Sequence, residues 1–230
     1  MDSYNSIREG KEALKGAMKI FEAAGMVPHK FISNEEEVLS SVKPEDRAKG
    51  IAKELAGERG GDGLPVVKVL GLIYLPAKDL FTFRFVPPER AVWTKRGVAQ
   101  TFPTIYDPLG FIGPFTLEAR IILQESFARK IGWDEALPSD LKVRWNEWLM
   151  AAKALEEIEI ARCTRELTGE DLSREFICIF SDASEKGYSS TSYRVTSSMS
   201  SPEKWHVAFL QAKTKVAPLK ALSIPRLELL

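Results

Sequence analysis

The sequence has few of the residues on which nucleophilic and thiol-based catalysis depends. It contains two histidines and two cysteines in 230 residues. His29 and His206 have no partners arranged like those of a catalytic triad, and we interpret both as packing or surface residues. Cys163 and Cys178 lack the spacing of a zinc site and the density of a disulfide framework. Cys178 follows apolar residues and is interpreted as a small core residue.

Long apolar segments and phosphate-binding loops are also missing. No run of 18 apolar residues predicts a membrane span, and no basic stretch followed by an apolar one predicts a signal peptide. The glycines of residues 60–63 (GGDG) lack the lysine of a phosphate loop. We therefore expect an intracellular protein, cytoplasmic or nuclear, that is not associated with membranes.

The charges balance, with 32 basic and 32 acidic residues, so net charge does not indicate a nucleic-acid partner. The apolar fraction of 44% is that of a globular protein. From residue 203 onward basic side chains outnumber acidic ones. The basic residues there are Lys204, Lys213, Lys215, Lys220 and Arg226.

Residues 1–88 are predicted to form a helix, a short edge strand and a β-hairpin. Ser6 and Glu9 have capping-box spacing at the start of the helix, and Gly25 is a natural stop. Residues 26–32 suit an edge strand, and residues 35–63 suit a surface linker or disordered loop. A strand over residues 66–75, a turn and an alternating strand over residues 80–86 predict the hairpin.

Residues 89–160 are predicted to be helical, with Pro114 opening one helix and Ser139 capping the next. Trp145 and Trp148 lie on the apolar stripe of that second helix and are interpreted as core residues. Residues 176–180 form an unbroken apolar run, which indicates a central strand covered on both faces. Two further strands, residues 187–195 and 205–212, complete a three-stranded meander, and residues 225–230 begin a helix.

Several stretches, taken in order, resemble the polymerase region of Pao/BEL retrotransposons. The most specific is residues 106–114 (YDPLGFIGP), preceded by residues 94–96 (TKR). The others are residues 29–34 (HKFISN), 70–72 (LGL), 79–83 (DLFTF), 133–135 (WDE), 180–184 (FSDAS), 212–219 (AKTKVAPL) and 224–229 (IPRLEL). The resemblance covers nearly the whole chain and is loosest over residues 35–63.

The resemblance implies an α+β fold in three parts. Residues 1–88 would be a reverse-transcriptase palm remnant, comprising a helix and a primer-grip-like β-hairpin. Residues 89–165 would be an α-helical thumb or connection. Residues 166–230 would be the N-terminal half of a ribonuclease-H-like domain, a truncated antiparallel meander. The parent polyprotein would synthesise DNA on an RNA template and degrade the RNA.

The resemblance also implies candidate site residues. Asp182 and Glu228 occupy the first-strand and first-helix positions of the carboxylate cluster with which ribonuclease H holds Mg²⁺. Two-metal hydrolysis needs such a cluster, and hard oxygen ligands suit Mg²⁺. We expect Mg²⁺ in the parent enzyme and no stable metal binding by this chain. Lys95 and Arg96 would contact the phosphates of an RNA–DNA hybrid or another duplex, positioning it without reading sequence.

An aspartic peptidase is the alternative function, because the family is also labelled a peptidase. Asp182-Ala183-Ser184 lacks the Asp-Thr/Ser-Gly turn and has no second copy. We therefore expect a non-catalytic, nucleic-acid-binding remnant of the polyprotein, and the sequence leaves its oligomeric state open. If the ribonuclease H assignment is right, the side-chain oxygens of Asp182 and Glu228 should lie within roughly 8 Å.

Overall fold

The computed structural model describes residues 4, 6–49, 66–69, 72–164 and 172–229. The chain forms two compact units. The first comprises Met1–Thr82 and Glu159–Glu170, and the second comprises Phe83–Ile158 and Asp171–Leu230. The predicted division at residues 88 and 165 stays a prediction.

The first unit begins with helix α1, Ile7–Ala23. Ser6 caps it as predicted, because its hydroxyl accepts a hydrogen bond from the Glu9 amide at 3.2 Å. Gly25, at φ +71°, lies just after its end. Helix α2, Glu36–Leu39, follows. The edge strand predicted over residues 26–32 is wrong, since Phe31 makes only an isolated bridge with Arg47.

An antiparallel sheet of four strands completes the first unit, in the order β1 (Val67–Val69), β2 (Leu72–Leu75), β3 (Leu80–Thr82) and β4 (Glu159–Ala161). The hairpin is confirmed as β2 and β3, with Tyr74 opposite Phe81. The single strand predicted over residues 66–75 is wrong, because β1 and β2 pair with each other. Strand β4 was not predicted, since residues 89–160 were expected to be helical.

A hydrogen-bonded cluster joins the β2–β3 turn to the residue after β4. The Tyr74 hydroxyl donates to Asp79 Oδ1 at 2.7 Å, and the Arg162 guanidinium donates to both carboxylate oxygens of Asp79, at 2.5 and 3.0 Å. Burial and the hydrogen bond to Asp79 raise the pKa of Tyr74 well above its usual range. Arg162 thereby fastens the distant β4 segment to the hairpin.

The second unit contains helices α3 (Lys95–Thr101), α4 (Gly113–Ala128) and α5 (Ser139–Ala151). The core assignment of two tryptophans is confirmed, with Trp145 fully buried and Trp148 stacked on it at 4.8 Å between ring centroids. Trp148 Nε1 donates to the Phe115 carbonyl of α4 at 2.9 Å. Arg144 bridges the same helices through Glu118 and Glu125. Among the described residues no helix is long and apolar enough to cross a bilayer.

The same unit contains the predicted meander, an antiparallel sheet of β5 (Leu172–Ala183), β6 (Gly187–Ser198) and β7 (His206–Val216) in that order. The expected pairing is confirmed, since Phe176 lies opposite Val195 and Phe180 opposite Thr191. The expectation that residues 176–180 are covered on both faces is wrong. Phe176 is 51% exposed on one face of β5, and Ile179 is 69% exposed on the other.

The loop before α4 docks on β7. Both carboxylate oxygens of Asp107 accept backbone hydrogen bonds, from Phe111 at 3.0 Å and Ile112 at 2.8 Å. The Ala212 amide of β7 donates to the Leu109 carbonyl at 2.8 Å. A Cβ on Gly110 would lie 2.0 Å from the Ala212 carbonyl oxygen, so only glycine permits this approach. The motif over residues 106–114 thus joins the helices to the sheet.

Candidate functional site

Asp182 lies near the end of β5, where the strand turns towards β6. It pairs with Ser189, which in turn pairs with Thr214 of β7, so these three side chains share one face of the sheet. Its Oδ1 accepts a hydrogen bond from the Ala183 amide at 2.9 Å, and the residue is exposed. The carboxylate is therefore open to solvent and to ligands.

Glu228 ends a short helix, α6, at Ile224–Glu228. Pro225 occupies its first turn, as the sequence predicts. Leu227 is buried at 2% exposure and anchors the helix, which lies against β5. The fold thus brings the element that carries Glu228 to the strand that carries Asp182. Both acidic residues are exposed. The predicted separation of roughly 8 Å between their oxygens stays a prediction.

The chemistry of these two donors fits Mg²⁺, which prefers carboxylate oxygens. Proteins commonly hold Mg²⁺ through one or two carboxylates together with substrate phosphates and water. Across the described parts of the chain, no group of three or more histidine, cysteine, aspartate or glutamate side chains could hold a metal ion. The expectation of Mg²⁺ in the parent enzyme, and of no stable metal binding by this chain, stays a prediction.

Lys213 and Lys215 form a pair of exposed basic side chains on β7. They flank Thr214, so they lie on the face of the sheet opposite Asp182. Lys215 Nζ lies 5.8 Å from the centroid of the Tyr188 ring. The sequence shows the excess of basic residues, but only the strand register reveals that these two share a face.

Lys95 is buried at 6% exposure. Its ammonium donates a hydrogen bond to the Ile131 carbonyl. The ammonium also lies 4.5 Å from the Phe127 ring centroid and 4.9 Å from that of Trp133, at the separation of cation–π contacts. Lys95 therefore stabilises the packing of α3 against the segment after α4, and the phosphate contact predicted for it has no support from its position.

Arg96 lies at the surface, paired with Asp134. Its guanidinium donates to both oxygens of that carboxylate, at 2.7 and 2.9 Å, with its side chain 49% exposed. Hydrogen bonding to Arg96 lowers the pKa of Asp134, which keeps the pair charged. A phosphate would reach Arg96 only by competing with Asp134.

A family model described as the Pao retrotransposon-like RNaseH-like domain matches residues 94–230, more than half of the chain. The matched region includes α3 to α6 and the meander, and so contains Asp182, Glu228, Lys95 and Arg96. Comparisons with curated proteins and with solved structures gave no match.

Proposed function

This chain belongs to the Pao retrotransposon-like family, as a region of a retrotransposon polyprotein, and we propose that it binds RNA–DNA or other duplexes without cleaving them. The packing of α6, which carries Glu228, against β5, which carries Asp182, supports this proposal most directly. The packing lies within the region that matches the RNaseH-like domain.

The proposal that this chain does not cleave rests on the number of carboxylates. Two-metal hydrolysis holds both ions in a shared carboxylate cluster and activates water between them. Asp182 and Glu228 are the only members of that cluster that the family resemblance assigns to this sequence.

The resemblance to the same family also suggests roles for the remaining segments. The hairpin of β2 and β3 would support a primer, as a palm remnant, and helices α3 to α5 would act as a thumb or connection. Duplex binding would use exposed cations, with Lys213 and Lys215 as our first candidates and Arg96 as a third. The aspartic-peptidase alternative has less support, because the matched family is described by a ribonuclease-H-like domain.

Titration of a fluorescent RNA–DNA hybrid tests the binding proposal. We expect dissociation constants on the order of 10⁻⁴–10⁻⁶ M that weaken as salt rises. The double substitution Lys213→Gln/Lys215→Gln should reduce the salt slope by about 1–2. The matched control is Lys15→Gln/Lys19→Gln, which removes two exposed charges from α1, a helix with no assigned duplex contact, and should leave the slope unchanged. Binding that is absent at low salt, or indifferent to salt, contradicts the proposal.

A cleavage assay tests the other half of the proposal. The purified chain is incubated with the hybrid and Mg²⁺, and we expect no products above the metal-only background. Cleavage that disappears in Asp182→Asn would show that the chain is a nuclease. Cleavage that persists in that variant would point to a contaminating enzyme and requires repurification before the assay is scored.

A further inference from the structure

The hairpin connection between β6 and β7 is exposed over its whole length. Strand β6 ends at Ser198 and β7 begins at His206, so residues 199–205 form the connection. Every residue of this connection is exposed, and Met199 reaches 67%. The connection joins two paired strands and lies at the end of the sheet rather than along its edges. Its side chains are therefore accessible to an enzyme, as those of surface loops commonly are.

This connection contains a serine that is followed directly by proline. Ser201-Pro202 is the only Ser-Pro pair in the sequence, although the chain has 13 prolines, and no threonine precedes a proline. Lys204 follows three positions after the serine. The order of serine, proline, any residue and a basic residue is the pattern that proline-directed protein kinases phosphorylate. The sequence thus offers such kinases one complete site.

Both determinants of this pattern have a physical basis. Proline has no backbone N–H, so Pro202 can enter a kinase pocket that offers no hydrogen-bond acceptor. Another residue in that pocket would leave its amide without a partner, which is unfavourable. The positive charge of Lys204 is attracted by acidic side chains of the kinase, which aligns the substrate. The two residues therefore contribute to recognition in separate ways.

Local hydrogen bonds hold the backbone at Ser201. The Lys204 amide donates to the Ser201 carbonyl at 3.0 Å, which closes a β-turn with proline at its second position. The Ser201 amide donates to Ser198 Oγ at 3.2 Å. A kinase binds its substrate in an extended form, so these bonds must open. They can open without separating the strands, because the pairing of β6 with β7 begins at Thr196 and His206, outside the connection.

We propose that Ser201 is a phosphorylation site for a proline-directed protein kinase. The kinase transfers the γ-phosphoryl group of ATP to Ser201 Oγ. The bond between the γ-phosphorus and the oxygen that bridges it to the β-phosphate breaks, and a bond between Oγ and phosphorus forms. The hydroxyl proton passes to the catalytic aspartate of the kinase, and ADP leaves. The site shares no residue with the proposed duplex-binding surface, so the two proposals stand separately.

The added phosphate acts within the connection. It carries a charge of roughly −1.5 to −2 at neutral pH. The β-turn keeps the Cα atoms of Ser201 and Lys204 within about 7 Å, so the ammonium of Lys204 can pair with the phosphate. Lys213 lies further along β7, roughly 23 Å from His206 at about 3.3 Å per residue. This distance exceeds the screening length of about 8 Å, so phosphorylation should leave duplex binding by Lys213 unchanged.

Phosphorylation in vitro tests the site. The folded chain is incubated with a purified cyclin-dependent kinase and ATP, and mass spectrometry counts and locates the phosphate. We expect one phosphate per chain, at Ser201, and none in Ser201→Ala. The matched control is Ser200→Ala, which removes an exposed neighbouring hydroxyl that no proline follows and should still be phosphorylated. A wild-type chain that stays unmodified, or equal incorporation into Ser201→Ala, overturns the proposal.

Kinase kinetics test how the site is recognised. Pro202→Ala should lower kcat/KM at least about tenfold, and Lys204→Gln should lower it several-fold, mainly by raising KM. Lys220→Gln is the control, because it removes an exposed charge outside the connection and should leave kcat/KM unchanged. Circular dichroism verifies that the variants are folded. Equal kcat/KM values for the wild type and Pro202→Ala contradict recognition by a proline-directed kinase.

Discussion

At the scale of single residues, the adjacent cations Lys95 and Arg96 of α3 differ in their exposure to solvent. Lys95 is enclosed between two aromatic rings and donates to the Ile131 carbonyl. Arg96 follows it and pairs with Asp134 at the surface. The N-terminal turn of a helix does not attract cations, so each depends on specific partners.

Replacing Lys95 with methionine should destabilise the second unit. The substitution leaves the Ile131 carbonyl without its donor and removes the cation from the two rings, at a cost of about 1–3 kcal/mol. Urea unfolding monitored by tryptophan fluorescence measures the loss. The control is Lys142→Met on α5, whose side chain is exposed, and it should change stability by less than about 0.5 kcal/mol. Equal effects from both substitutions contradict the structural role.

The burial of Lys95 could not be predicted from the sequence. Its partners Phe127, Ile131 and Trp133 lie more than 30 positions further along the chain, and local pattern gives no sign of their approach. Asp182 and Glu228 were identified by resemblance to a family, and their own local pattern fits an ordinary turn and an ordinary helix equally well.

Tyr74 gives a prediction about alkaline pH. Its pKa is raised by burial and by the hydrogen bond to Asp79, so the folded state retains a proton that the unfolded chain releases. The stability from neutral Tyr74 is therefore fully present below about pH 10 and is lost as pH rises further. Unfolding free energies measured from about pH 8 to pH 11 should fall less steeply in Tyr74→Phe than in the wild type. Parallel profiles would show that Tyr74 does not contribute.

At the scale of elements, the loop over residues 106–114 determines how α4 meets the sheet. Asp107 holds the turn by accepting from two amides, and Gly110 brings the backbone against β7. Beyond the loop, Arg120 donates to the Thr214 carbonyl at 2.7 Å and Gln124 to the Ala217 carbonyl at 2.6 Å. One side of α4 is thus tied to β7 and the residue that follows it.

Gly110→Ala should displace this loop. Alanine at φ +78° is strained, and its Cβ would overlap the Ala212 carbonyl oxygen, so we expect a loss of at least about 2–3 kcal/mol. Thermal unfolding followed by near-ultraviolet circular dichroism measures it. Gly16→Ala is the control, because Gly16 lies inside α1 and, apart from its chain neighbours and the backbone of α1, no atom lies within 4 Å of the added Cβ. That variant should gain about 0.5–1 kcal/mol. An unchanged midpoint for Gly110→Ala contradicts the docking.

Elements with a strong local signal were predicted well, and elements that depend on distant pairing were not. The cap at Ser6, the β2–β3 hairpin and the stripe around Trp145 follow from spacing within a few residues. Strand β4 was missed because β3, its partner, lies about 80 positions away and three residues carry little periodicity of their own. The apolar run in β5 indicated a strand but could not indicate what covers it.

At the scale of the whole molecule, balanced charge combines with an exposed apolar strand. The 32 basic and 32 acidic residues give an isoelectric point near 6.8, so electrostatic repulsion between copies is weakest close to neutral pH. Phe176, Ile177, Ile179 and Phe180 remain more than half exposed on each copy. Near neutral pH, electrostatic repulsion therefore does little to oppose association between copies through these apolar side chains.

We expect a solubility minimum close to pH 6.8, where the chain carries no net charge. Turbidity of concentrated protein across about two pH units on either side locates it. Ile179→Ser removes apolar surface without changing the charge, so it should lower the turbidity and leave the position of its maximum unchanged. A maximum displaced by more than about one pH unit would show that net charge does not govern solubility.

The hydrogen bonds from Arg120 and Gln124 can form only late in synthesis of the chain, because α4 is translated before their acceptors. Their acceptors, Thr214 and Ala217, follow 94 and 93 positions later in the chain. At roughly 5–20 residues per second, a ribosome completes α4 about 5–20 s before it delivers the strand that accepts these bonds. Helices form in about a microsecond, so α4 is folded during that interval while the side that carries Arg120 and Gln124 remains exposed to solvent. Nascent chains should therefore engage holdase chaperones through α4 until β7 emerges.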